Sequence, residues 1–147
     1  MKSGELVAAR LSGEITIAKV LEVEATRVRL LIRQKKEARI PAERIVLTTG
    51  VIASSDADIE QFKAETEALT SSVDIEELWE VVRDEDGPVS LEDLAELSWG
   101  ENAEAYQRMA LLLLLERETL YFTSVKGVYS PRSASAVEEI RQRRVRD

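Results

Sequence analysis

The chain has 147 residues, enough for one ordinary domain or two small ones, and contains no cysteine and no histidine. That excludes disulfide frameworks, Cys/His zinc sites, thiol nucleophiles and every His-based acid–base scheme. With 44% hydrophobic and 33% charged residues it can bury a core, and its longest uninterrupted apolar run, Met109 to Leu115, is far short of the ~20 residues a membrane span needs. Met1 is followed by Lys2-Ser3-Gly4-Glu5 rather than an apolar leader, so a cytoplasmic location is expected.

The formal charge of −8 hides two halves of opposite sign. Residues 1–50 carry ten Lys and Arg against six Asp and Glu; residues 51–147 carry ten against twenty-two. A change of sign within one chain suggests two units with different surfaces. The last stretch, Val137 to Asp147, is basic again through Arg141, Arg143, Arg144 and Arg146.

Residues 6–47 are rich in Val, Ile, Leu and Thr, broken by turn residues, which is the pattern of short strands. Leu6 to Leu11 forms the first run, and Ser12-Gly13 is a hairpin turn. Ile15 and Ile17, with Lys19 as a third position, alternate with Thr16, Ala18 and Val20, predicting a half-buried strand that continues towards Val23. After a turn at Glu24-Ala25-Thr26, Val28, Leu30 and Ile32 alternate with Arg29, Leu31 and Arg33. Gln34-Lys35-Lys36-Glu37 is a polar tip, Ala38-Arg39-Ile40 resumes the sheet, Pro41 to Arg44 makes one helical turn, and Ile45-Val46-Leu47 closes. Five short strands with a one-turn helix predict a small SH3-like or OB-like β-barrel over residues 1–50.

That hairpin concentrates Arg27, Arg29, Arg33, Lys35, Lys36 and Arg39. A face of this kind contacts phosphates, since Lys and Arg supply most sequence-independent affinity for nucleic acid; the bland reading is a solvated hairpin whose charges guard a sheet edge. No aromatic residue occurs in the first sixty-one positions, so a base-stacking platform is missing here and the expected mode is a backbone clamp on single-stranded RNA.

Residues 51–57 read as a linker, followed by a winged-helix-like domain over 58–133 and a basic C-terminal helix over 134–147. Asp56 or Asp58 caps a helix to about Leu69, with Ile59, Phe62, Thr66 and Leu69 inward. Asp74 caps a second, Ile75 to Val82, which Asp84 to Pro88 ends. Ser90, with Asp93 at N3, caps a third, Leu91 to Trp99, stopped by Gly100. Asn102 is expected to cap a fourth, Ala103 to about Glu118, apolar nearly all round and therefore central. Leu120 to Thr123, a Lys126-Gly127 turn and Val128 to Pro131 make a hairpin, and Ser133 or Ser135 caps the last helix. Helix, short β segment, helix, glycine turn, helix, hairpin is the order of a winged helix. The fold class is thus α+β, a barrel followed by a helix-turn-helix unit.

In a DNA reader the fourth helix would enter the major groove. Here Glu101 and Glu104 stand at its start, where phosphate repels them, so a DNA-binding regulator is the weaker reading and a protein-docking role for the acidic unit the stronger. Trp79, Trp99 and Phe122 are expected in the core, with stacking open to Tyr121 or Tyr129 on the wing. Asp84-Glu85-Asp86 is too short for a calcium loop, and no Gly-rich phosphate loop occurs. No metal, cofactor or catalytic residue is assigned to the segment.

The stretches Ile75-Glu76-Glu77-Leu78-Trp79, Leu91 through Ser98-Trp99-Gly100, Ala110 through Glu116-Arg117, Leu120-Tyr121-Phe122 and Tyr129-Ser130-Pro131-Arg132 resemble the region ahead of the catalytic core in one branch of the bacterial ribonuclease II family. Gly4-Glu5-Leu6-Val7 fits the same pattern. The resemblance implies a small barrel and a winged-helix unit ahead of a processive 3′-to-5′ exoribonuclease core, with magnesium held by an Asp cluster in that separate core. None of the core's motifs is present, so the expectation is a non-catalytic N-terminal region that guides RNA, with the barrel hairpin and Arg141, Arg143 and Arg144 as contacts. The alternative is a module whose winged helix docks a partner protein or the enzyme's own core.

Overall fold

The computed structural model describes residues 1–33, 35–84, 87–125 and 127–146. Gln34 of the expected hairpin tip, Glu85-Asp86 of the expected helix stop, Lys126 of the wing turn and Asp147 lie outside them. Five strands come first: β1 (Glu5–Leu11), β2 (Glu14–Val23), β3 (Arg27–Arg33), β4 (Lys36–Pro41) and β5 (Ile45–Ile52), with a 3-10 turn at Ala42–Arg44. They form one antiparallel sheet in the order β4-β3-β2-β1-β5. A meander through β4, with β5 returning beside β1, is the SH3-like arrangement rather than the Greek key of an OB fold. Ser12 (φ 52°) and Gly13 (φ 81°) both take the left-handed conformation of a two-residue hairpin turn.

One face of this curled sheet encloses Val7, Ala9, Ala18, Val20, Val28, Leu30 and Ile40. The opposite face of the same strands is also buried. Leu6, Ala8 and Ile17 belong to the core of the helical half, together with Phe62, Trp79, Leu111 and Leu112. β1 is therefore covered on both sides, which explains its unbroken Leu6-Val7-Ala8-Ala9 run, since alternation marks a strand with one wet face. The half-buried reading of β2 is corrected in the same way: Ala18 and Val20 point into the barrel, while Ile15 and Ile17 point at the helices. β5 runs on through Gly50 to Ile52, and the buried Ala53 donates its N–H to the Gly4 carbonyl at 2.9 Å. The segment 51–57 thus holds the strand's end and the start of the next helix.

The helical half comprises α1 (Asp56–Thr70), α2 (Ile75–Val82), β6 (Val89–Ser90), α3 (Leu91–Trp99), α4 (Ala105–Arg117), β7 (Phe122–Val125), β8 (Val128–Pro131) and α5 (Ala134–Arg146). β8 lies between β6 and β7 in a small antiparallel sheet. From α2 to β8 this is a winged helix, and α1 precedes it in the chain as an extra helix. Capping follows local chemistry. Asp74 Oδ1 accepts the Glu77 N–H at 3.1 Å; Ser90 and Asp93 form a reciprocal capping box. At α1 the cap is Ser55, and Asp58 instead reaches back to the Ser54 N–H and hydroxyl at 2.9 and 3.0 Å. Those donors hold the Asp58 carboxyl below its ordinary range, the Ser54 backbone bond contributing most. Helix α4 starts two residues later than expected because Gln107 Oε1 accepts the Glu104 N–H at 2.6 Å and Asn102 is not the cap.

Within α4, Met109 to Leu113 and Leu115 are all buried. This helix packs against α1, α3 and strands β2 and β5, so it is the axle on which the two halves meet. Trp79 Nε1 donates to the Arg132 carbonyl at 2.7 Å and its ring lies 5.3 Å from that of Tyr121, closing α2 onto the start of α5.

Candidate nucleic-acid interface

Side chains on β3 alternate, so Val28 and Leu30 fill the barrel while Arg27 and Arg29 face outward. The outward arginines have different surroundings. Arg29 is bracketed by Glu37 at 2.8 Å and Glu22 at 3.3 Å, and Arg39 on β4 meets Glu24 at 3.1 Å. Three glutamates, Glu22 on β2, Glu24 just past its end and Glu37 on β4, thus neutralise the middle of the hairpin. At its end the balance changes. Arg33 stands opposite Lys36 in the register, and Lys35 lies between them at φ 62°. Among the described residues, Arg27, Arg33, Lys35 and Lys36 have no carboxylate within ion-pair distance. Like charges directly across a ladder are destabilising, and so is a left-handed backbone at a residue with a Cβ. The tip therefore concentrates positive charge at a cost to the fold.

A cleft of about 230 Å³ lies beside the tip, lined by Leu31, Arg33, Asp56, Ile59, Glu60 and Lys63 among others. Lys63, on α1, is the basic residue that the sequence did not single out. Nothing local marks it, because its proximity to Arg33 follows from packing α1 against the end of β3.

The other candidates sit on α5 and are all paired. Arg141 Nη2 donates to Glu76 at 3.0 Å and to the Tyr121 hydroxyl at 2.8 Å, with its guanidinium 5.6 Å from that ring. These bonds, the Tyr121 one first, raise its pKa further above the ordinary arginine value. Arg144 meets Glu118 at 3.2 Å, and Arg143 meets Glu139 one helical turn away at 2.6 Å. Arg141 and Arg144 thus tie α5 to α2 and to the end of α4. Stacking by Tyr121 or Tyr129 is corrected: both are buried, Tyr129 at 1% exposure, and so are Trp79 and Phe122.

The largest described cleft, about 800 Å³, runs between barrel and wing past Arg10, Glu43, Glu116, Ser124 and Tyr129. Its arginine is already held by Glu116, and Glu43 adds a second negative charge, so it is no phosphate site. Among the described residues no group of three or more Asp or Glu converges as a metal site would require. Nor does α4 offer a face to a DNA groove, since α1 and the barrel cover it.

Residues 61–136, just over half of the chain, match the family model described as the winged helix domain of ribonuclease II. The chain belongs to the ribonuclease II family. The match covers most of α1, the winged helix and the first turn of α5, so α1 is part of the ribonuclease II module although generic winged helices lack it.

An uncharacterized ribonuclease of Synechocystis is 27% identical over 142 residues, spanning 96% of this chain and 21% of its own length. That similarity extends beyond the ribonuclease II winged helix to the barrel. No solved structure matches. No helix among the described residues is long and apolar enough to cross a membrane.

Proposed function

We propose that these residues form a non-catalytic RNA-guiding region of a 3′-to-5′ exoribonuclease, in which the β3–β4 tip clamps the phosphate backbone. The observation that carries this reading is the Arg33–Lys36 cross-strand pair flanking Lys35, without a carboxylate partner among the described residues. Single-stranded RNA supplies a counter-charge at ion-pair distance, which Asp56 and Glu60 in the adjoining cleft do not reach among the described residues. Arg27 extends the same line along β3. Arg29, Arg39, Arg141, Arg143 and Arg144 are engaged by glutamates and position the hairpin and α5 rather than lead the contact. No aromatic side chain accompanies the tip, so recognition is of backbone and independent of sequence. Hydrolysis, with its magnesium, belongs to the separate core that the family implies, and no step of it is routed through this chain's residues.

Titration of a fluorescently labelled single-stranded RNA by anisotropy, at several salt concentrations, tests the proposal. Replacing Arg33, Lys35 and Lys36 with Ala is expected to weaken binding at least about tenfold and flatten the logarithmic salt dependence by about 2, for three lost phosphate contacts at ~0.7 each. Replacing Arg141, Arg143 and Arg144 is expected to act mainly on thermal stability. Unchanged affinity in the first variant removes the tip from RNA binding.

A further inference from the structure

We propose that the groove between α2 and α3 is a docking site for an amphipathic helix with Lys- and Arg-rich flanks, carried by a partner protein. This inference is independent of the RNA reading and uses the opposite charge. The groove has a volume of about 270 Å³, and its apolar lining includes Val73, Leu78, Val81, Leu97 and Trp99. Val81 is 56% and Leu97 53% exposed, although the helices around them have packed every other large apolar side chain inward or half-inward. A space smaller than the ~300–1,000 Å³ of small-molecule pockets suits anchoring side chains from a third helix laid along two others.

Charge decides what that helix carries. Helices α2 and α3 contain Glu76, Glu77, Glu80, Glu92, Asp93 and Glu96 and no Lys or Arg. Among the described residues, ion pairs reach only Glu76, through Arg141, and Glu92, through Arg108 at 3.8 Å. Glu77, Glu80 and Glu96 are left without a cationic partner, and Asp74 and Glu77 line the groove itself. Such a rim repels RNA and attracts basic flanks. A second copy of this chain is a poorer occupant. Its one basic apolar helix, α5, has Val137 buried in its own core and leaves only Val145 freely exposed.

The test uses the whole chain and a defined probe, a labelled helical peptide of about 18 residues (some five turns) with a Leu face flanked by Lys, alongside its Glu-flanked counterpart. Binding of the Lys peptide is expected to change the emission of Trp99 and to shift backbone amide resonances around Val81 and Leu97. Replacing Val81 and Leu97 with Ser keeps the charge and, at such exposed positions, the fold; it is expected to weaken the Lys peptide at least tenfold. Replacing Glu77, Glu80 and Glu96 with Gln is expected to remove most of the salt dependence. Equal binding of both peptides, undiminished binding to the Ser variant, or resonance shifts elsewhere would each overturn the proposal. So would concentration-dependent self-association that the Ser variant abolishes, because the groove would then belong to a second copy.

Discussion

Arg10 of β1 and Glu116 of α4 stand 106 residues apart in the chain and meet through two parallel hydrogen bonds, Nη2 to Oε1 at 2.9 Å and Nη1 to Oε2 at 3.3 Å. Beneath them Leu6 and Ala8 on the same strand pack into the core that α4 fills. The ion pair fixes the direction of β1 relative to α4, and the apolar contact supplies most of the binding between the two halves.

The strength of that pair follows from its setting. Arg10 is 42% exposed and Glu116 only 18%, so the pair is screened on one side. A double-mutant cycle with Arg10→Ala and Glu116→Ala in urea denaturation is expected to give a coupling of about 1 kcal/mol, smaller in high salt. A coupling indistinguishable from zero would mean that the apolar contact alone sets the arrangement.

Because one core runs from α4 into the outer face of β1 and β2, barrel and winged helix are expected to unfold together. Both tryptophans lie in the helical half, so tryptophan emission reports on that half, and amide resonance intensities of β3 and β4 report on the barrel. Their urea transitions should coincide, and Leu112→Ala, at a fully buried site, should lower both by about 3 kcal/mol. Two separated transitions would show instead that the halves fold independently.

Much of this architecture was legible because its signals are local. Asp74 and Ser90 cap their helices through bonds three residues long, and Ser12-Gly13 turns its hairpin within two residues. The unalternating Leu6 to Ala9 run carried the information that β1 is covered twice, but periodicity alone does not say by what. All of the candidate basic residues except Lys63 were also visible. What sorts them was not: Glu22, Glu24, Glu76 and Glu118 neutralise arginines on other elements, and among the described ion pairs only Glu139–Arg143 and Glu138–Arg141 have the helical spacing that sequence reveals.

Lys35 offers a separation of stability from function. At φ 62° a glycine is unstrained where lysine is not. Lys35→Gly is expected to leave stability unchanged or raise it by up to about 1 kcal/mol, while lowering RNA affinity and the salt slope. Loss of stability with unchanged RNA affinity would mean that Lys35 holds the hairpin rather than the ligand.

Acid should loosen α1 from α4. Glu67 on α1 forms a two-pronged pair with Arg117 on α4, which holds the Glu67 carboxyl below its ordinary 4.5. A carboxylate whose pKa is depressed by folding stabilises above its unfolded value, and that stabilisation is lost as pH falls through the folded one. The melting temperature of the native chain should therefore exceed that of Glu67→Gln at neutral pH, and the gap should close below about pH 4. A gap that persists in acid would assign the difference to packing rather than charge.

At the alkaline end the sensitive group is Tyr129, opposite Val89 and Ser124 in the wing sheet and 1% exposed. Burial, reinforced by the Glu116 carboxylate, pushes its phenol from 10.0 up to about 12. A raised folded value means the neutral form is favoured in the fold. The associated stability is present in full below pH 10 and is lost as pH rises through about 12. Tyrosinate absorbance should accordingly show a late component that Tyr129→Phe removes, with tertiary structure lost as that component appears. Tyr129→Phe keeps the ring in place, so it should postpone this alkaline unfolding. If the late component survives the substitution, the phenol that burial protects is a different one.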